Sequence, residues 1–316
     1  MSSKKVYNDF PTFLKSFFPY KVQKISINAG FTCPNRDGAI GRGGCTYCNN
    51  QTFSPAYCKT TKTITQQLED GKHFFAHKYP SMKYLAYFQS YTNTYDSFDG
   101  LKAKYEEALA VKDVVGLVIG TRPDCISDEL LDYLEKISKK VFVLVEFGIE
   151  STLDDTLLRV NRGHSYETVV DAVNRTSDRG ILTGGHVILG LPGESLQSIL
   201  DQPKVLSKLP LNTLKLHQLQ IIKGTQMEEE FTNFPEDFYL TTLDDYLTLV
   251  ISYLQRLRPD MVVERFISQS PKELILSPLW GIKNHEFNMM LIQRMKKENT
   301  YQGQLYTDQK TNLINI

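Results

Sequence analysis

The chain has 316 residues, 41% of them apolar, and its 36 lysines and arginines balance 36 aspartates and glutamates. That size suits one large α/β domain with terminal extensions, and a neutral chain has no global electrostatic footprint for nucleic acid, so RNA binding needs a local patch or a helper. No segment approaches the roughly 20 apolar residues of a membrane helix and no secretory apolar core opens the chain, so it reads as cytoplasmic with no membrane partner.

The stretch YNDFPTFLKSFFPYKVQK comes first and interleaves Phe and Tyr with Lys15, Lys21 and Lys24. Aromatics among lysines can stack bases and neutralise phosphates, but such a segment more often forms an amphipathic cover for a barrel bottom. Short apolar, β-branched runs follow at 24–31, 84–91, 114–121, 141–149, 185–191 and 213–222. The near-continuous runs VVGLVIG and VFVLVEFGIE suit strands covered on both faces, hence a parallel sheet. Between them, Ser127 can cap a helix whose first turn holds Asp128 and Glu129, and Ser165 opens one that Gly180 closes. Six strands alternating with helices make either a doubly wound sheet or an incomplete TIM-like barrel. Further on, MVVERFI is a candidate strand, and the polar stretch from Lys296 is expected to fray. The expected organisation is an N-terminal extension over 1–24, a partial barrel over 25–225, and a helical and strand extension with a polar tail over 226–316.

Polar residues collect after these strands, at Asn28 to Cys33, Gln89 to Asn93, Thr121 to Asp124, Glu150–Ser151 and Gly190 to Glu194. Sites in both architectures lie at the carboxyl ends of parallel strands, which favours an enzyme. The first of these loops reads NAGFTCPNRDGAIGRGGCTYCNNQTF, where Cys33 precedes the C-x2-C pair Cys45 and Cys48. Thiolates so spaced can converge on one metal centre, with Gly38, Gly41, Gly43 and Gly44 letting the backbone wrap it. Structural zinc wants four N or S ligands, and Cys58 is the next cysteine available. Three cysteines would instead leave one iron of a [4Fe–4S] cluster open for chemistry. Spacing alone leaves both readings standing. Lone Cys58 and Cys125 are expected to be structural thiols.

The blocks AGFTCPNRDG, GTRPD, NRGH, GLPGE and KGT, in this order, resemble the radical SAM superfamily, and within it the YhcC/YtqA group, whose stretched first cysteine gap is similar to that of the Elongator catalytic subunit. The resemblance implies an incomplete TIM-like (βα)6 barrel, a [4Fe–4S] cluster on Cys33, Cys45 and Cys48, and S-adenosylmethionine (SAM) chelated to the fourth iron. It further implies that Tyr47 lies against the adenine, that Gln89 and Ser90 meet the methionyl amine, and that Glu150 binds the ribose. Arg162 would meet the SAM carboxylate, with Glu150 pairing to Arg162 as the plainer alternative for that carboxylate. His186 would make a ribose contact, and Gly190 would allow close approach on the adenine side. His217 is a candidate for the substrate side, and Arg265 and Trp280 for the barrel base or the substrate side. The implied chemistry is reductive SAM cleavage to a 5′-deoxyadenosyl radical, fed by a flavodoxin- or ferredoxin-type electron donor, in a filled, dry lumen. For the substrate, a tRNA base such as wobble uridine is the first expectation and a small molecule the second. A zinc-stabilised RNA-binding module is the non-enzymatic alternative.

Overall fold

The computed structural model describes residues 5–49, 52, 55–76, 81–239 and 241–307. Its strands are β1 (Val22–Ile27), β2 (Lys83–Phe88), β3 (Val114–Thr121), β4 (Phe142–Glu150), β5 (Leu182–Leu189), β6 (Thr213–Gln218), β7 (Ile221–Ile222), β8 (Val262–Arg265) and β9 (Ile275–Ser277). Helices α1 (Phe10–Lys15) and α2 (Pro34–Asp37) flank β1, and α3 (Ile64–Ala76), α4 (Phe98–Ala110) and α5 (Asp128–Ser138) precede β2, β3 and β4. Then come α6 (Asp154–Arg159), α7 (Tyr166–Asp178), α8 (Leu196–Leu206), α9 (Gln226–Asn233), α10 (Leu243–Arg256) and α11 (Asn284–Lys297).

Seven strands, in the order β1-β2-β3-β4-β5-β6-β8, form one parallel sheet curled into a half-barrel, while β7 and β9 pair separately. MVVERFI thus supplies a seventh strand, parallel to β6. The six expected strands are all present, β3 with the expected ends and the other five shifted. β1 stops at Ile27 because Gln67 binds the Asn28 amide and Asn28 turns back onto the Gly30 amide. β5 starts before its glycines, because Gly184 and Gly185 sit where a Cβ would strike Thr213 and Ile149.

Serine or threonine caps fix where helices begin. Ser97, Ser127, Ser165, Ser195, Thr225 and Thr242 each accept from the third helical amide, at about 1 kcal/mol per cap. Period-two alternation sorts the strands. On β3 and β4, Leu117, Ile119, Val143, Val145 and Phe147 are buried under the helices. Their neighbours Val118, Phe142 and Leu144 face the lumen.

The N-terminal segment closes the bottom of that lumen. Phe10 and Leu14 of α1 are buried against Leu85, Tyr87, Val118, Phe142, Leu144 and Val262. Asp9 caps α1 and forms a parallel bridge to Val263 on the sheet edge. The segment is therefore the amphipathic cover and not a base-stacking surface along its length. The expected fraying tail is also corrected: Gln302 is buried and bonds the backbone at Val6, Asn8, Arg258 and Met261, so the chain after α11 is tied to the barrel bottom. Residues 308–316 of that tail lie outside the described residues. No helix among the described residues is long and apolar enough to cross a membrane.

Candidate active site at the strand carboxyl ends

The loop after β1 folds onto the turn at 160–163. Asn35 Nδ2 donates to the Asn161 carbonyl at 2.6 Å and lies 3.7 Å from Cys45 Sγ. Asn161 in turn donates to the Gly44 carbonyl at 2.9 Å, and the Thr46 amide to the Val160 carbonyl at 3.0 Å. Gly41 is required because a Cβ there would lie 2.2 Å from Asn35 Oδ1. These clamps bring Cys33, Cys45 and Cys48 to one cavity of about 210 Å³. Burial and the neighbouring Cys45 push the Cys48 thiol up to about 11. Among the described residues, no three His, Cys, Asp or Glu side chains converge as for a single metal ion.

The opposite wall comes from β4 and the turn after α6. Arg162 reaches Cys45 Sγ with Nη1 at 3.7 Å, donates to the Gly148 carbonyl at 2.6 Å, and pairs with Glu150 at 3.6 Å. Gly148 permits this: its Cβ would lie 2.5 Å from Glu150 Oε1 and 2.6 Å from Arg162 Nη2. Glu150 ends the strand with a φ of +66°, beyond a register shift that turns its carboxylate to the cavity. Arg162 Nε and the Tyr47 hydroxyl are buried with no partner. Arg122, after β3, grips Asp124 with two bonds of 2.8 and 2.9 Å and also lines the cavity.

Deeper in, the lumen is charged. Glu146 is fully enclosed and accepts from Lys215 at 2.6 Å and Lys24 at 2.8 Å, with His186 Nε2 at 3.0 Å. Lys24 continues to Glu264 at 2.7 Å, and Lys215 to the Tyr87 hydroxyl at 3.1 Å. Burial opposes the Glu146 charge, but Lys215, Lys24 and His186 outweigh it and hold the carboxyl well below its ordinary value. Burial, with Lys215 adding, depresses His186 and keeps it neutral.

Of the sequence-predicted residues, Cys33, Cys45, Tyr47, Cys48, Gln89, Glu150, Arg162 and His186 share the cavity. Ser90 and Gly190 do not line it. Gly190 adopts a φ of +91° and supports Glu194, which Ser151 binds at 2.6 Å. Cys58 donates to the Ser26 carbonyl at 2.9 Å, and burial pushes both it and Cys125 up to about 12, as for structural thiols. Arg122, Glu146 and Lys215 were not assigned from sequence. Their signal was present: a charge inside an apolar strand, as in VFVLVEFGIE and TLKLHQ, is a buried charge that must be paired.

The described site fits a sulfur-ligated cluster and SAM. Three thiols of the loop face the cavity, and an orphaned guanidinium nitrogen stands on the wall beside them. Residues 31–201 match the family described as the Radical SAM superfamily, and residues 211–297 match the Radical_SAM C-terminal domain. YtqA of Bacillus subtilis is 33% identical over 305 residues, covering 96% of this chain and 94% of that protein. A tRNA uridine(34) acetyltransferase of Methanocaldococcus infernus is 26% identical over 58% of this chain and 34% of its own length. Among solved structures, the archaeal Elp3 of the same organism superposes with a TM-score of 0.68 at 17% identity, covering 90% of this chain and 64% of that one. The chain belongs to the radical SAM superfamily, in the group of YtqA and YhcC, whose cofactors are a [4Fe–4S] cluster and SAM.

Proposed function

We propose that this protein is a cytoplasmic radical SAM enzyme that modifies a tRNA base, with wobble uridine as the target. The observation that carries the radical assignment is the meeting of Cys33, Cys45 and Cys48 with Arg162 and Glu150 around one cavity. Cys33, Cys45 and Cys48 are the residues to hold the cluster, leaving SAM to complete its coordination. Bound there, cluster and SAM supply reductive cleavage of the sulfonium C–S bond and a 5′-deoxyadenosyl radical that abstracts hydrogen. The electron comes from a flavodoxin- or ferredoxin-type donor.

The chain's own residues bind and orient. Arg162 offers its unpaired Nε and its Nη edge to a carboxylate, with the fork held by the Gly148 carbonyl. Glu150 accepts from ribose hydroxyls, its carboxylate held on the wall by Arg162. Tyr47 presents its ring to the adenine, packed from behind by Val160, Leu191 and Leu219. Gln89, whose side-chain oxygen accepts from Ser26 at 2.8 Å, keeps its amide group for the methionyl end. Ser90 and Gly190 act through backbone shape on this reading. His186, neutral and bonded to Glu146, orients polar groups without supplying charge.

Support for tRNA comes from the similarity to the tRNA uridine(34) acetyltransferase. Comparing modified nucleosides in total tRNA from cells with and without the gene tests it. Loss of one wobble-uridine nucleoside is expected, and unchanged profiles under several growth conditions would overturn it. The charged lumen, closed below by α1, favours a second reading in which a small polar molecule is the substrate.

A further inference from the structure

The charges of the lumen do not cancel. Lys24, Lys215 and Arg265 stand against Glu146 and Glu264, while burial keeps His186 and His217 neutral. Both lysines are spoken for by the two carboxylates. Arg265 is not: it has no hydrogen-bond or ion-pair partner among the described residues. It is half-buried at the end of β8, lines the cavity, and its charge reaches His217 and Tyr87. Across from it on β6, His217 Nδ1 lies 2.5 Å from Ser268 Oγ, and its Nε2 is buried with no partner. A cation held out of water without a counter-charge is costly, and a bound anion removes that cost.

We propose that Arg265, with His217 and Ser268 beside it, is a subsite for the carboxylate of a small molecule that enters the lumen. This deepens the proposed function and rests on the cavity being where hydrogen is abstracted. Under the tRNA reading the carboxylate belongs to a co-substrate; under the small-molecule reading it belongs to the substrate itself. One unmatched positive charge calls for a monoanion. A phosphate monoester carries about 1.5–2 negative charges near neutral pH and would leave an excess buried. A phosphodiester is monoanionic as well, so it is compared directly with the carboxylates in the test below. The planar guanidinium fork matches a planar carboxylate with two parallel bonds, and His217 and Ser268 add polar contacts at its side.

The test is calorimetric titration of the reconstituted enzyme with acetate, propionate and butyrate at constant ionic strength. Inorganic phosphate and dimethyl phosphate serve as comparators. The carboxylates are expected to bind wild type, at least tenfold more weakly to Arg265→Gln, and with intermediate affinity to Arg265→Lys. In anion-free buffer, Arg265→Gln is expected to melt no lower than wild type, because an unpaired, half-buried cation has gone. Equal carboxylate binding by wild type and Arg265→Gln, no carboxylate binding, preferential phosphate binding, or a lowered melting point for the variant would each overturn the subsite. Release of 5′-deoxyadenosine by wild type is measured alongside. If it is absent while Arg265-dependent carboxylate binding persists, the radical reading fails and the subsite stands.

Discussion

Lys24 on β1 and Glu264 on β8 form an ion pair of 2.7 Å between the two edge strands of the sheet. Those strands are six places apart in the sheet order, and no backbone ladder joins them. Side chains close the half-barrel instead, with Glu146 of the central strand β4 tying Lys24 to Lys215. The charged lumen therefore also ties the two edges of the sheet together.

It follows that Glu146→Gln destabilises the fold. Removing the carboxylate leaves Lys24 and Lys215 buried with less than their full counter-charge, an effect of about 3–5 kcal/mol. Denaturant titration checks this. A loss under about 1 kcal/mol would mean that water screens the network.

Gly148→Ala tests the Arg162–Glu150 wall without altering a charge. The added methyl would meet Glu150 Oε1 and Arg162 Nη2 at 2.5 and 2.6 Å, so one or both must swing away. SAM binding, measured by equilibrium dialysis, is expected to weaken at least tenfold. Unchanged binding would detach this pair from SAM.

Glu194 predicts a pH effect on stability. Burial, against bonds from Ser151 and the Gly190 and Leu191 amides, raises its carboxyl from 4.5 to about 7. The folded chain thus binds this proton more tightly than the unfolded chain. Its contribution is full below pH ~4.5 and falls as pH rises to about 7, by roughly 3 kcal/mol at most. Glu194→Gln is expected to flatten that fall. A variant whose pH–stability curve keeps the slope of wild type would refute the assignment.

Cys58→Ala and Cys125→Ala are expected to keep full iron content after reconstitution, since the Cys58 thiol donates to the Ser26 carbonyl and the Cys125 thiol to Asp124. Cys58→Ala is expected to lose about 1–2 kcal/mol of stability with the buried sulfur and its bond. Iron content halved by either change would make that thiol a ligand.

The strand and helix order was readable because β3 and β4 are near-continuous apolar runs and six helices start on a serine or threonine cap. The cysteine loop was readable because it gathers three thiols, from Cys33 to Cys48, with four glycines between them, a density that inert buried cysteines do not show. What was hidden depended on curvature. Lys24, Glu146, Lys215 and Glu264 are far apart in sequence and meet only because the sheet curls. The charge of the lumen was hidden for the same reason, as alternation puts Glu146 on the inner face in step with Phe142 and Leu144. The final polar stretch looked frayed because its main anchor is one residue, Gln302, whose side chain reaches three backbone groups and whose amide reaches a fourth.

Anaerobic reconstitution of the full chain with iron and sulfide, followed by reduction in the presence of SAM, tests the central claim most directly. A brown protein with about four irons per chain that releases 5′-deoxyadenosine is expected, with both properties lost in Cys33→Ala, Cys45→Ala and Cys48→Ala. A colourless protein that retains zinc on these cysteines and leaves SAM intact would contradict it.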